Sequence, residues 1–518
     1  MPAYNHPMNL LQSLKQHAQN TPNAIALKSE SLAFNYRDFL AAIGQTQQLI
    51  TVCNEGGTIA LAIDNHPAWA ILDIASLANR TPLVPLPAFF SDTQLMHAVK
   101  DAGVSLLITD HPQRFSALFD SLIAHKSTIT VAGKRLMMMQ LAIAPQSLPA
   151  STVKITYTSG TTGQPKGVCL SEHAMLSVAS AIHTMVNLRA SDQHCCVLPL
   201  STLLENVAGL YAILLAGGTA HILPCKTVGL TGSSVNINQL HQTLQSTKAN
   251  SAIFIPELLT ALVAACEAGA EKLHHLHFLA VGGASVASNL LTRAHQLGLP
   301  VFEGYGLSES ASVVALNTVT NHQVGSVGKL LPHIEIMLSD EHEILVKGAQ
   351  YLGYTNQPNT AQADWVATGD IGYLDADGYL FINGRKKNIF ITSYGRNVSP
   401  EWVERDLTST PVITQACLFG EAKPWNTALI ASTADATAET INSAIETINQ
   451  SLPDYARVSK WLLTSEPFSV NNKQLTPNGR LKRDVIWQSY QDAINTLYTS
   501  HQKHNRIDSE NRNEYDIL

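Results

Sequence analysis

The chain has 518 residues, too many for one compact core, and its 45% hydrophobic and 14% charged content excludes an extensively disordered polymer. A net charge of −7 excludes a nucleic-acid binder built on clustered Lys and Arg, and it does not favour attraction to an anionic membrane. Seven dispersed cysteines with no Cys-x-x-Cys pair exclude a disulfide framework and a zinc site.

The N-terminal stretch MPAYNHPMNLLQSLKQHAQNTP has no basic start followed by an apolar run, so it reads as an amphipathic helix and not as a signal peptide. No stretch reaches the ~20 apolar residues of a membrane span. A soluble, cytoplasmic protein is expected. Apolar runs at 58–63, 82–87, 105–110, 194–200, 220–224, 251–256 and 277–283 read as buried strands. Helical patterns at 66–79 and 205–218 lie between them. This alternation predicts α/β architecture with a largely parallel sheet. Cys195 and Cys196 would point to opposite faces of one strand as small buried residues. His274, His275 and His277 read as a solvated loop, because no further ligands stand at metal spacing.

After residue 320 the texture changes. Residues 335–348 read as two strands around a polar turn, and 375–384 as a turn and strand. Helices are expected near 400–409 and 436–451, with strands near 412–419 and 427–431. The reading gives three parts: an N-terminal domain over 1–385, made of parallel α/β sheets and a small β-rich subdomain; a small α+β C-terminal domain over 386–500, hinged to it; and a polar tail over 501–518.

The strongest local signal is Tyr157-Thr158-Ser159-Gly160-Thr161-Thr162-Gly163-Gln164-Pro165-Lys166-Gly167. Its glycines let backbone N–H groups turn toward an anion, its hydroxyls donate hydrogen bonds, and Lys166 adds a point charge. It is not the common P-loop, in which the lysine runs directly into a helix. Here residues 168–170 read as another strand, and Ser171 caps the following helix. By composition alone the segment reads as a flexible surface turn.

The order of its residues resembles the signature of the acyl-adenylate-forming superfamily, which includes acyl-CoA synthetases, adenylation domains and beetle luciferases. Further matches follow in that family's order over residues 20–490. Gly282-Gly283-Ala284 resembles the turn that lies against adenine. Glu303-Gly304-Tyr305-Gly306-Leu307-Ser308-Glu309-Ser310 resembles the stretch whose tyrosine stacks near adenine and whose glutamate binds Mg²⁺. Thr368-Gly369-Asp370 resembles the ribose-binding aspartate motif. Arg385 in Gly384-Arg385-Lys386-Lys387-Asn388 resembles the arginine that contacts ribose and phosphate. Lys387 falls at the hinge on which the C-terminal domain turns between two half-reactions. Residues 393–398 resemble the loop lining the thiol tunnel.

The resemblance implies an acid–thiol ligase. A carboxylic acid, a medium- or long-chain fatty acid by overall likeness to long-chain members, would react with ATP and Mg²⁺ to give acyl-AMP and then with coenzyme A. The implied nucleotide set is Thr158, Ser159, Gly160, Thr161, Thr162, Gly163, Gly283, Ala284, Tyr305, Gly306, Ser308, Asp370 and Arg385, with Lys166 and Glu309 catalytic. Two departures stand out. Arg480 occupies the place of the family's C-terminal catalytic lysine, with Lys482 two residues on as the other candidate. Thr202 stands where many members carry histidine at the acyl-pocket entrance. No Phe-Asp pair of the kind that holds an amino-acid substrate occurs there. Residues 324–370 lack the insertion typical of ligases that load an acyl carrier protein, which tilts the acceptor toward coenzyme A. Such a carrier-loading ligase, and a nucleotide-binding pseudoenzyme motivated by Arg480, are the alternatives.

Overall fold

The structure, a computed structural model, describes residues 7–54, 56–158, 165–231, 234–355, 357, 364–475 and 480–499. Among these residues two large sheets carry the N-terminal domain. In the first, of nine strands, Val301–Tyr305, Phe278–Val281, Ser251–Phe254, Gln193–Cys195, Thr219–His221 and Ile25–Lys28 run parallel, with short antiparallel strands at both edges. The second, of eight strands, is parallel only at its centre, through Lys154–Thr158, Leu83–Pro85, Thr58–Ala62 and Val104–Thr109. Antiparallel pairs flank it, including the hairpin Ile123–Val131 and Lys134–Leu141, which the sequence reading does not contain.

The helix Pro67–Ala78 shows why the two sheets share a core. Apart from Asp73 and Ser76 it is apolar all round, so it must be buried on every side. Residues 67 to 77 are all buried, and Trp69 is fully buried. Its core cluster draws on both sheets, through Ile59 and Leu83 of one and Ala220 and Phe302 of the other. Pro at its first position and His66 at its cap, accepting from Ala68 N–H, start it. Cys195, the last residue of its strand, and Cys196, the next residue along the extended chain, fall into different core clusters, as side chains pointing to opposite faces do.

A four-stranded antiparallel sheet follows, Glu335–Leu338, Glu343–Lys347, Val366–Leu374 and Leu380–Arg385. The smaller C-terminal domain packs the strands Ile413–Phe419, Asn426–Ser432 and Val458–Leu463 with the helices Pro400–Thr408, Ala438–Ser451 and Arg483–Thr499. Among the described residues no helix is long and apolar enough to cross a membrane.

The expected helix 205–218 is instead a π-helical segment, Leu204–Tyr211, running into an α-helical turn, Ala212–Leu215. π segments are rare and concentrate at functional sites. Buried polar side chains account for its position. Lys154 Nζ lies 2.6 Å from Asp73 Oδ1 and 3.1 Å from Tyr211 Oη, and it also donates to Asn206 Oδ1. Tyr211 and Asn206 donate to Asp73 Oδ2 at 2.7 and 3.0 Å. Burial pushes the Lys154 ammonium down in pKa, and Asp73 opposes that.

The two domains meet along the helix Pro400–Thr408. Arg405 Nη1 donates to Ser285 Oγ at 3.2 Å, and Arg293 Nη1 donates to Ser409 O at 3.1 Å. Beneath this contact Glu303 accepts from Val286 N–H at 3.1 Å. Burial pushes the Glu303 carboxyl up to about 7, against the pull of Val286 N–H and Arg405.

Two predictions follow from these buried groups. Asp73→Leu alone strands the Lys154 charge and should cost about 3–5 kcal/mol in urea unfolding, while adding Lys154→Met should recover most of the loss. For Glu303, the folded chain holds a proton that the unfolded chain loses near its ordinary pKa of about 4.3. Its contribution is therefore present below that pH, falls as pH rises to about 7, and is flat above. Glu303→Gln should unfold about 2–3 kcal/mol later than the parent at pH 8 and show no such gain at pH 4.

Candidate active site

Strands Lys154–Thr158 and Lys166–Leu170 pair antiparallel, with Thr158 opposite Lys166. Ser171 then caps the helix Glu172–Val186, accepting from Ala174 N–H at 3.1 Å. This is the strand, loop, strand, capped-helix order that the sequence predicts. Ser159, Gly160, Thr161, Thr162 and Gly163 lie outside the described residues. Both stems of the loop are tied to the helix Asp92–Asp101. Tyr157 Oη donates to Asp101 Oδ2 at 2.7 Å, and His97 Nε2 donates to Pro165 O at 2.9 Å. Thr355 also donates to Asp101, and its N–H reaches Gly167 O at 2.9 Å.

Lys166 and Glu309 lie on either side of Tyr354. The Lys166 ammonium sits over the Tyr354 ring, 5.3 Å from its centroid. The Tyr354 hydroxyl donates to Glu309 Oε1 at 3.1 Å. The sequence reading did not single out Tyr354. Nothing local marks it, because its role comes from the strand Gly353–Tyr354 pairing beside Lys166–Leu170.

The turn at Gly282-Gly283-Ala284 leaves the strand Phe278–Val281 and exposes Gly283 and Ala284. Gly283 has φ +88, which favours glycine. At Gly306 a Cβ would meet Ser312 O at 1.6 Å, so only glycine fits. Ser308 and Glu309 share the short helical turn Ser308–Ser310. Tyr305 Oη donates to Asp370 Oδ2 at 2.5 Å.

Asp370 and Arg385 are cross-strand partners in one hairpin. Fifteen residues of separation thus become one ion pair, Arg385 Nε to Asp370 Oδ1 at 2.8 Å. The turn between the strands is set by Asp375, whose Oδ1 accepts from Asp377 and Tyr379 N–H, with Gly378 at φ +79. Burial pushes the Asp370 carboxyl up, while Arg385 and Tyr305 stabilise its charge. Arg480 is exposed at the surface; desolvation along the cleft wall, followed by the Arg385 charge, lowers its guanidinium pKa, and Asp370 raises it. Arg480 is therefore electrostatically joined to the Asp370–Arg385 pair. Lys482 is exposed, with its N–H on Gln474 O at 2.8 Å. Lys387 is exposed in the turn Lys386–Asn388, and partial burial, then Arg385 and Arg480, pull its pKa down.

Thr202 precedes the π segment, and its hydroxyl donates to Pro199 O at 2.6 Å. Asn65 holds the same turn, donating to Leu198 O at 2.9 Å and accepting from Leu200 N–H at 2.7 Å. That is why the expected strand 194–200 stops at Cys195.

Every predicted site residue within the described set lines one cleft of about 3490 Å³. This is several times the ~300–1,000 Å³ of a single small-ligand site. The cleft is large enough for a nucleotide, an acid and a thiol arm.

One other set of potential metal ligands converges among the described residues. His194, Cys196 and Glu205 place one ligand atom each within 4.8 Å of one another. Their hydrogen bonds are already committed. Glu205 Oε1 meets His194 Nε2 at 2.8 Å, Glu205 Oε2 accepts from Leu198 N–H at 2.9 Å, and His194 Nδ1 lies 3.0 Å from Ser251 Oγ. Burial also raises the Cys196 thiol well above its ordinary pKa, so its thiolate is disfavoured. The group is a structural tether between the π segment and the strands. His274 and His277 are exposed, and His275 Nε2 donates to Leu244 O at 2.9 Å.

Comparison with known proteins fits this geometry. Long-chain-fatty-acid–CoA ligase FadD15 of Mycobacterium bovis is 28% identical, over 83% of this chain and 86% of its own length. The 2-succinylbenzoate–CoA ligase of Bacillus subtilis is 27% identical, over 80% of this chain and 85% of its own length. The crystal structure of the anthranilate CoA ligase AuaEII with anthranoyl-AMP superposes with a TM-score of 0.79 at 18% identity, over 95% of this chain and 99% of that one, a likeness of fold. The model of the AMP-binding enzyme C-terminal domain matches residues 387–502. The AMP-binding enzyme model matches residues 14–353, well over half of the sequence, and the chain belongs to that family.

Proposed function

We propose that this enzyme activates a medium- or long-chain fatty acid with ATP and transfers the acyl group to coenzyme A. The observation that carries this reading is a single cleft joining two chemically distinct regions. One holds Lys166, Glu309, Asp370, Arg385 and Arg480. The other is an apolar seam in which half-buried Leu204, Ala208 and Ala280 pack against both large cores. The small Ala208 and Ala280 side chains there support room for an aliphatic chain alongside the π segment.

In the first step a carboxylate oxygen attacks the α-phosphorus of ATP, and the bond to pyrophosphate breaks. Both partners are anionic, so the barrier is electrostatic. Lys166, at the loop's exit, and Arg480, beside the Asp370–Arg385 pair, supply positive charge from opposite domains. Asp370, opposite Arg385 and under Tyr305, has the acceptor oxygens for ribose hydroxyls. Glu309 suits a hard cation, because it makes no ion pair among the described residues and accepts one hydrogen bond from Tyr354. Mg²⁺ held there would neutralise phosphate charge. In the second step a thiolate attacks the acyl carbonyl carbon, AMP leaves, and the thiol proton passes to solvent. Rotation at Lys387 would exchange Arg480 for the loop 393–398 beside the adenylate.

An aryl acid is the second reading. It is favoured by the 2-succinylbenzoate and anthranilate ligases among the relatives.

Pyrophosphate release against saturated fatty, succinylbenzoic and aminobenzoic acids, with and without coenzyme A, tests both. Fatty acids should give the highest kcat/KM, with AMP and acyl-CoA as products. A preference for aryl acids overturns the substrate class, and the absence of acid-dependent release overturns the activity. Transfer to an acyl carrier protein without transfer to coenzyme A would replace the acceptor. Arg480→Ala should lower acid-dependent ATP–pyrophosphate exchange about 100-fold, and Lys482→Ala should stay within about threefold.

A further inference from the structure

Lys166 and Glu309 carry opposite charges and border the same cleft, yet no ion pair forms between them among the described residues. An ammonium and a carboxylate that border one cleft attract each other. Contact between them would occupy the donors meant for phosphate and the oxygens meant for a cation.

Tyr354 stands between them, and backbone bonds fix it from both sides. Its strand pairs Tyr354 with Val168 and Gly353 with Cys169 on the lysine's own strand. Tyr351 N–H donates to Glu309 O at 2.8 Å, which ties the same segment to the glutamate's turn. Thr355, the next residue, is held by Asp101 and Gly167. The Tyr351 ring packs on Tyr354 at 5.0 Å between centroids.

We propose that Tyr354 is a positioning residue that keeps Lys166 and Glu309 from pairing, holding the ammonium on its ring face and one carboxylate oxygen on its hydroxyl. The ring's negative face stabilises the ammonium without neutralising it. The hydroxyl engages one oxygen of Glu309 and leaves the carboxylate charged. The proposal rests on Lys166 and Glu309 being the phosphate and cation groups of the preceding reading. It adds a residue that controls how available both are.

The test measures MgATP binding by equilibrium dialysis across a Mg²⁺ series, on the full chain with no acid present. Parent, Tyr354→Phe and Tyr354→Leu are compared, with thermal midpoints alongside. Phe keeps the ring face and should bind within about threefold of the parent. Leu keeps bulk without the quadrupole and should bind about 10-fold more weakly, with a raised half-saturating Mg²⁺ concentration and an unchanged thermal midpoint. Parent-like binding by Tyr354→Leu overturns the proposal. Equal weakness in Phe and Leu also overturns it, since the ring face would then contribute nothing to keeping Lys166 from Glu309. Weakness in Leu that tracks a lowered midpoint reduces Tyr354 to a structural role. A parent that binds MgATP but releases no pyrophosphate with any acid would count against the proposed activity, leaving this comparison standing.

Discussion

A buried ammonium sits at the root of the hairpin that carries Thr158 and Lys166, and much of the N-terminal domain is arranged around satisfying it. Lys154 begins the strand that delivers Thr158 to the cleft. Its partners are Asp73 on the buried central helix and Asn206 and Tyr211 on the π segment. An isolated buried charge is prohibitively costly, so the network holds as a set or fails as a set. Through it the strand that leads into the glycine-rich loop, the helix between the sheets and the wall of the apolar seam share one register. The loop side and the apolar side of the cleft are thereby set by the same few atoms.

At the other side of the cleft, charge is arranged by antiparallel pairing. The tight turn at 375–378 folds Arg385 back onto Asp370, and Tyr305 closes the group from the neighbouring sheet. Arg480 adds a second cation from the C-terminal domain. Like charges at Arg385 and Arg480 are tolerated because Asp370 stands among them. A polyanionic substrate would relieve their repulsion further. Contacts through Arg405 and Arg293 hold the domains in this arrangement, and each is a small set of hydrogen bonds that a modest free energy can exchange.

Much of this was legible from the residues. Local requirements were the readable ones: glycines and hydroxyls ahead of Lys166, a capping Ser171, a turn ahead of Arg385, and the helix at 66–79. Tyr354, Glu303 and Lys154 were not readable. Each acquires its role from partners 45, 17 and 81 residues away. The π segment escaped for a similar reason. Its apolar residues fit an ordinary helix, and the departure accompanies Glu205 reaching back to His194 and Leu198 N–H. The hairpin 123–141 also escaped, because the inward face of its first strand is only Ser127, Ile129 and Val131, too short and too weakly apolar to stand out as alternation.

The central claim is that the acid passes through a mixed anhydride with AMP. Carboxyl-¹⁸O-labelled acid, turned over with ATP, Mg²⁺ and coenzyme A and followed by mass spectrometry, tests it most directly. Attack of the carboxylate on the α-phosphorus leaves one labelled oxygen in AMP when the thiol displaces it, and the account predicts label in AMP and none in pyrophosphate. Label in phosphate or pyrophosphate with unlabelled AMP would contradict it, because the acid would then have been activated at a different phosphorus.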